Sequence, residues 1–126
     1  MSRIAFITAA ALIGAAAFAY AEDPPKSDND CDDGTLQMIE CIEGKTKLWD
    51  KRMNAAYQDA LKDAEPAQRE QLRAAQRLWL QYRDANCAYY QLGQGSIARV
   101  QAEDCMFRMT KARAKELDGT DSRLQN

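Results

Sequence analysis

The sequence predicts an all-α domain, a three-helix antiparallel (up-down-up) arrangement stapled by two disulfides. Three observations lead there. Apolar residues recur at alternating steps of three and four through three long stretches, and no run alternates with the period of two that marks a half-buried strand. Two breaks, at Pro66 and at the run Gly93, Gln94, Gly95, Ser96, separate those stretches. Four cysteines, Cys31, Cys41, Cys87 and Cys105, make an even count that reads as a disulfide framework in a small exported chain.

The first residues point to export. Residues 1–3 carry one positive charge, Arg3, and residues 4–18 are an uncharged apolar run rich in alanine. Ala19, Tyr20 and Ala21 give the small-x-small pattern that signal peptidase reads. Residues 1–21 are therefore expected to be a signal peptide, because the apolar run falls short of the roughly 20 residues a spanning helix needs. Glu22, not a lipid-accepting cysteine, follows the cleavage site, so the expected product is periplasmic or secreted with no stable membrane anchor. Loss of Arg3 moves the formal charge from −2 to −3, which argues against nucleic acid as a partner.

Residues 22–34 hold two prolines and six acidic residues against one lysine, with no apolar period, and read as an acidic extended arm anchored at Cys31. The first helix starts near Thr35, with Asp33 or Thr35 available as N-cap. Its core seam is Ile39, Ile42, Thr46, Trp49, Met53, Ala56 and Ala60. Pro66 stops that helix and opens the second, since proline suits the first helical position and disfavours helical geometry in the residue before it. The second helix runs to about Leu92, with Leu72, Ala75, Trp79, Tyr82 and Asn86 on one face. After the glycine-rich reversal Ser96 is placed to cap the third helix, which carries Ala98, Ala102, Cys105, Met106, Met109 and Leu117 on a broad face. It should end near Asp118, with Gly119 as terminator. The domain thus spans residues 35–119, and residues 120–126 form a polar tail.

Loop positions constrain the disulfides. If the first two helices reverse about residue 64, Cys41 lies level with Cys87, which favours that pair and leaves Cys31 to Cys105. Four cysteines allow three connectivities.

Catalytic equipment is sparse. The chain has no histidine, which removes the commonest general base and metal ligand. Ser27, Ser96 and Ser122 stand in cap or loop settings, not in a nucleophile elbow. Glu103 and Asp104 are adjacent on a helix and do not face one another. Asp33, Gly34 and Glu40 match the late positions of a calcium loop, but Asn29 and Cys31 fail the early ones. Arg69, Arg73 and Arg77 form a basic stripe at four-residue intervals that reads as a wet face in an acidic chain. The reading is a non-enzyme with no catalytic residue, no metal site and no cofactor.

Two polar residues stand apart. Gln76 and Arg83 lie beside the apolar stripe, where a polar group must find a partner, and Asp50 and Arg113 are the candidates for an interhelix clamp. Tyr89 and Tyr90 flank the glycine-rich turn, and tyrosine beside glycine and serine is what recognition surfaces use, although turn chemistry alone also accounts for these residues.

Four segments carry a resemblance: DKRMNAAY at residues 50–57, AQRLWLQYRDANC at 75–87, GQGS at 93–96, and the C-x-x-x-x-T-x-x-R-x-x-x-L run from Cys105 to Leu117. Together they resemble the bacterial lysozyme inhibitor LprI-like family of small cysteine-containing envelope proteins. The matched motif positions are Asp50, Asn54, Tyr57, Gln76, Trp79, Arg83 and Arg113, taken as structural. The resemblance implies an exported, non-catalytic protein that binds a lysozyme and blocks its cleft. The alternative is an envelope protein-interaction module without lysozyme contact. The expected partner-binding residues are Tyr89, Tyr90, Gly93, Gln94, Gly95 and Ser96, with Gln94 standing where the family has glycine.

Overall fold

The computed structural model describes residue 31 and residues 34–120. The expected signal peptide, the expected acidic arm apart from Cys31 and Gly34, and residues 121–126 lie outside the described residues. Three helices follow in order: α1 (Thr35–Asp63), α2 (Pro66–Gln91) and α3 (Ile97–Leu117), with no strand among the described residues. They run up, down and up.

Local chemistry sets the boundaries. α1 opens on Gly34, whose carbonyl accepts from the Met38 N–H at 3.0 Å. The cap expected from Thr35 is not made, because Thr35 is already helical, and the other candidate, Asp33, lies outside the described residues. Pro66 starts α2 as expected, behind a reciprocal capping box: the Glu65 carboxylate accepts from the Gln68 backbone, and Gln68 Oε1 accepts the Glu65 N–H at 3.1 Å. Arg69 closes the same corner by donating to the carbonyls of Leu61 and Ala64, each at 2.9 Å, which satisfies acceptors that the end of α1 would leave bare. α3 ends at Leu117, and Gly119 beyond it adopts φ +72°, the left-handed geometry that glycine supplies after a helix.

α3 is the central helix. It packs against both other helices, most extensively against α1, while α1 and α2 meet chiefly through long side chains. Its buried residues, Ala98, Ala102, Cys105, Phe107, Thr110, Arg113 and Ala114, cover more than half its circumference. Three of them are alanines, which let neighbouring backbones approach. On α1 the expected seam faces inward, with Ile39 and Met53 buried and Ile42, Thr46, Trp49, Ala56 and Ala60 half-buried.

α2 departs from its expected face. Ala75 and Tyr82 are exposed, and the helix instead turns Gln76 and Cys87 fully inward with Leu72, Trp79, Leu80, Arg83 and Asn86 half-buried. The inward face is rotated by about one residue because its central positions are polar. Hydrogen bonds to α1 and α3 hold it there, so of the expected face Leu72, Trp79 and Asn86 stay inward while Ala75 and Tyr82 turn out.

The disulfides correct the expected pairing of Cys41 with Cys87 and Cys31 with Cys105: they are Cys31–Cys41 and Cys87–Cys105. Being level along two helices does not make two residues face each other. Cys87 is 2% exposed because it points into the α2–α3 interface, where its Cα lies 5.5 Å from that of Cys105 across the second hairpin. α1 and α3 run parallel, with Lys111 against the Trp49 ring and Glu103 feeling the charge of Glu43. Cys105 therefore sits two to three turns along α1, beyond the reach of a residue that precedes the helix, whereas the Cα of Cys41 is 5.8 Å from that of Cys31.

Candidate functional site

Two groups of the singled-out residues come together at different levels of the bundle. The first is a buried polar network at mid-height. Gln76, 5% exposed, accepts a hydrogen bond at 3.0 Å from Nε of Arg113, itself 8% exposed. The Gln76 amide nitrogen rests 3.8 Å from the sulfur of Met53 on α1, and Arg113 also pairs with Glu116 at 2.9 Å. About two turns further along α2, Arg83 donates to Thr110 Oγ1 at 3.3 Å and to Asp84 at 3.0 Å, and reaches Asp50 on α1 at 3.9 Å. Asn54 donates to that same Asp50 carboxylate at 3.1 Å.

Trp79 lies between the two arginines, with the Arg83 and Arg113 guanidinium carbons 5.2 and 5.9 Å from its ring centroid. Five of the seven motif residues, Asp50, Gln76, Trp79, Arg83 and Arg113, thus join one helix to another, while Asn54 braces Asp50 within α1 and Tyr57 is half-buried on α1. Every buried side-chain nitrogen and oxygen among the described residues has a partner, so this network spends its polar groups internally. Thr110, 0% exposed, stood in the sequence reading only as the threonine of the Cys105–Leu117 run, with no partner assigned to it.

The second group is the α2–α3 tip, where all six expected binding residues meet. The Leu92 N–H donates back to Tyr89 O at 3.3 Å and the Gly93 N–H to Tyr90 O at 3.1 Å, closing α2. A Cβ on Gly93 would stand 3.1 Å from Tyr90 O and 3.3 Å from Ala98 Cβ, so glycine permits the close passage of the loop past α3. Gly95 takes φ +77°, and the chain re-enters a helix with Ala98 N–H to Gly95 O at 3.3 Å. Ser96 occupies the N-cap position, but its hydroxyl makes no cap bond there, contrary to the capping role expected of it.

Exposure concentrates at this tip. Tyr89 is 73% and Leu92 86% exposed, and Ile97 and Tyr90 are also open. The two tyrosine rings meet edge to face at 5.4 Å. Tyr89, Tyr90, Leu92, Gly93 and Gln101 line an open hollow of about 450 Å³. Cys87–Cys105 pins the two helix ends just behind it, with Asn86 donating to the sulfur of Met109 at 3.3 Å beside the bridge. The tip is an uncharged hairpin end, tied back to the bundle by that disulfide. Sequence reasoning found its tyrosines but missed Leu92, Ile97 and Gln101, which no periodic pattern marks.

The basic stripe is divided: Arg69, half-buried, serves the α1–α2 corner through backbone carbonyls, while Arg73, which pairs with Glu70, and Arg77 are exposed. No described group of three or more Cys, Asp or Glu side chains is arranged to hold a metal ion. No described helix is long and apolar enough to cross a membrane.

The chain matches no curated protein and no solved structure. The family model described as lysozyme inhibitor LprI matches residues 27–117, a span that takes in both disulfides, the buried arginine network and the tip. On that match over most of its length, the chain belongs to the lysozyme inhibitor LprI family.

Proposed function

We propose that the mature, exported protein is a non-catalytic inhibitor that binds a lysozyme in the cell envelope and blocks its cleft with the α2–α3 tip. Family membership supplies the class of partner. The observation that selects the tip is the joint exposure of Tyr89 and Leu92 on a hairpin held by Cys87–Cys105. A cleft must be entered by something narrow, and rigid aromatic anchors lose little freedom on binding. The six acidic residues of the arm at 22–34 provide a long-range attraction toward a cationic enzyme.

A muramidase assay with the oxidised mature protein against several lysozyme classes tests this. Inhibition is expected, with Tyr90→Ala and Ser96→Ala together mainly speeding dissociation. Neutralising Asp28, Asp30, Asp32 and Asp33 should mainly slow association and flatten its salt dependence. If every class stays uninhibited at high micromolar protein and low salt, the inhibitor reading fails and an envelope-interaction module without lysozyme contact replaces it.

A further inference from the structure

Three sulfurs and one amide converge between α2 and α3. Met109 Sδ lies 3.8 Å from Cys87 Sγ and 3.8 Å from Cys105 Sγ, while Asn86 Nδ2 stands 3.3 Å from Met109 Sδ and 3.4 Å from Cys105 Sγ. Exposure divides the sulfurs. Cys87 and Cys105 are 2% and 3% exposed, whereas Met109 is half-buried and lines, with Asn86 and Cys105, an open hollow of about 250 Å³. A small solute entering that hollow reaches a thioether, the group that oxidants convert to a sulfoxide.

We propose that Met109 is an oxidation site, converted to methionine sulfoxide by a peroxide, and that Asn86 receives the new oxygen. The step needs the oxidant and nothing else. A lone pair on Met109 Sδ attacks one peroxide oxygen, the S–O bond forms as the O–O bond breaks, and sulfur gives up two electrons; the displaced hydroxide takes the proton left on the transferred oxygen and departs as water. The consequence for the fold depends on the neighbours. A sulfoxide turns a flexible apolar side chain into a polar one, and it disrupts packing that offers it no donor. Met109 already has a donor against its sulfur. The Asn86 amide carries two N–H groups with both the Met109 and the Cys105 sulfur in reach, and a sulfoxide oxygen is a stronger acceptor than either. A small rotation of the amide then satisfies the modified side chain without parting α2 from α3.

This inference stands apart from the inhibitor reading, and its readouts are mass and melting temperature, not binding. The disulfide-intact mature protein is treated with dilute hydrogen peroxide, digested with trypsin and weighed. Residues 109–111 carry Met109 alone, and residues 53–62 carry Met53, which is 1% exposed. The mass of one oxygen should appear on 109–111 about tenfold faster or more than on 53–62. Equal rates in folded protein, or Met53 first, overturn the assignment. Each variant is then compared with its own untreated form. Treated wild type should melt within a few degrees of untreated protein, and treated Asn86→Leu should fall by several degrees more than wild type does. Met109→Leu, which cannot take the oxygen, should show no shift. Equal shifts in wild type and Asn86→Leu overturn the receiving role of Asn86, and a wild-type shift reproduced in full by Met109→Leu overturns the site, tracing the change to other methionines.

Discussion

Arg113 on α3 donates its Nε hydrogen to Gln76 Oε1 on α2 at 3.0 Å, and neither residue is more than 8% exposed. A guanidinium taken this far from water has to be met on every side. Gln76, Glu116 and the Trp79 ring meet it, and in doing so they fix the rotation of α2 about its own axis.

Because that bond joins a charged donor to a buried neutral acceptor, Gln76→Ala should destabilise the domain by about 2 to 3 kcal/mol. A double-mutant cycle with Arg113→Ala should show a coupling of roughly 1.5 to 3 kcal/mol in urea unfolding. Additive single losses would mean that the two side chains do not interact in solution.

Trypsin can read the disulfides directly. No lysine or arginine lies between Ser27 and Lys45, so Cys31–Cys41 should appear as one internally bridged peptide, residues 27–45, two mass units below its reduced form. Cleavage at Arg83, Arg99 and Arg108 should leave residues 84–99 joined to 100–108 through Cys87–Cys105. Any peptide joining Cys41 to Cys87 would refute the observed pairing. Cys87→Ser with Cys105→Ser should cost about 3 kcal/mol by the chain-entropy model for a loop of this size, and the shorter Cys31–Cys41 loop should cost less.

Glu103 on α3 gives the domain an acid-side dependence. Burial raises its carboxyl above the usual range, the charge of Glu43 on α1 raises it further, and Arg99 lowers it in part. The folded state then holds the proton more tightly than the unfolded chain. This contribution to stability is fully present below the unfolded value near 4.3 and is lost as pH rises through the folded value. Glu103→Gln should raise the melting temperature at pH 7, and the gain should vanish below about pH 4. An equal gain at both pH values would point to packing in place of charge.

At the tip, Gly95→Ala places a Cβ at φ +77° and should cost about 1 to 2 kcal/mol, although no atom stands within 4 Å to clash with it. Calorimetry that shows no loss would mean that the loop relaxes to another turn.

Much of the fold was readable because its signals are local. Pro66 and Gly119 act through their own backbone restrictions, so the start of α2 and the end of α3 followed from residue type. The α1 seam was readable because that helix packs one apolar face. Family motifs singled out Gln76, Arg83, Asp50 and Arg113, and burial rules required that such polar groups be paired.

What the chain could not declare locally was rotation and partnership. Tyr82 and Arg83 are neighbours, and periodicity favours the tyrosine as core, yet Tyr82 is 61% exposed while Arg83 turns in toward Thr110 and Asp50. The preference exists only when residues 27 positions later and 33 positions earlier are in place to receive the guanidinium. The cysteines obey the same limit. Spacing along a helix sets the height of each one, but only packing of α2 on α3 turns Cys87 toward Cys105, because a side chain's direction is settled by the neighbour that offers the better contact.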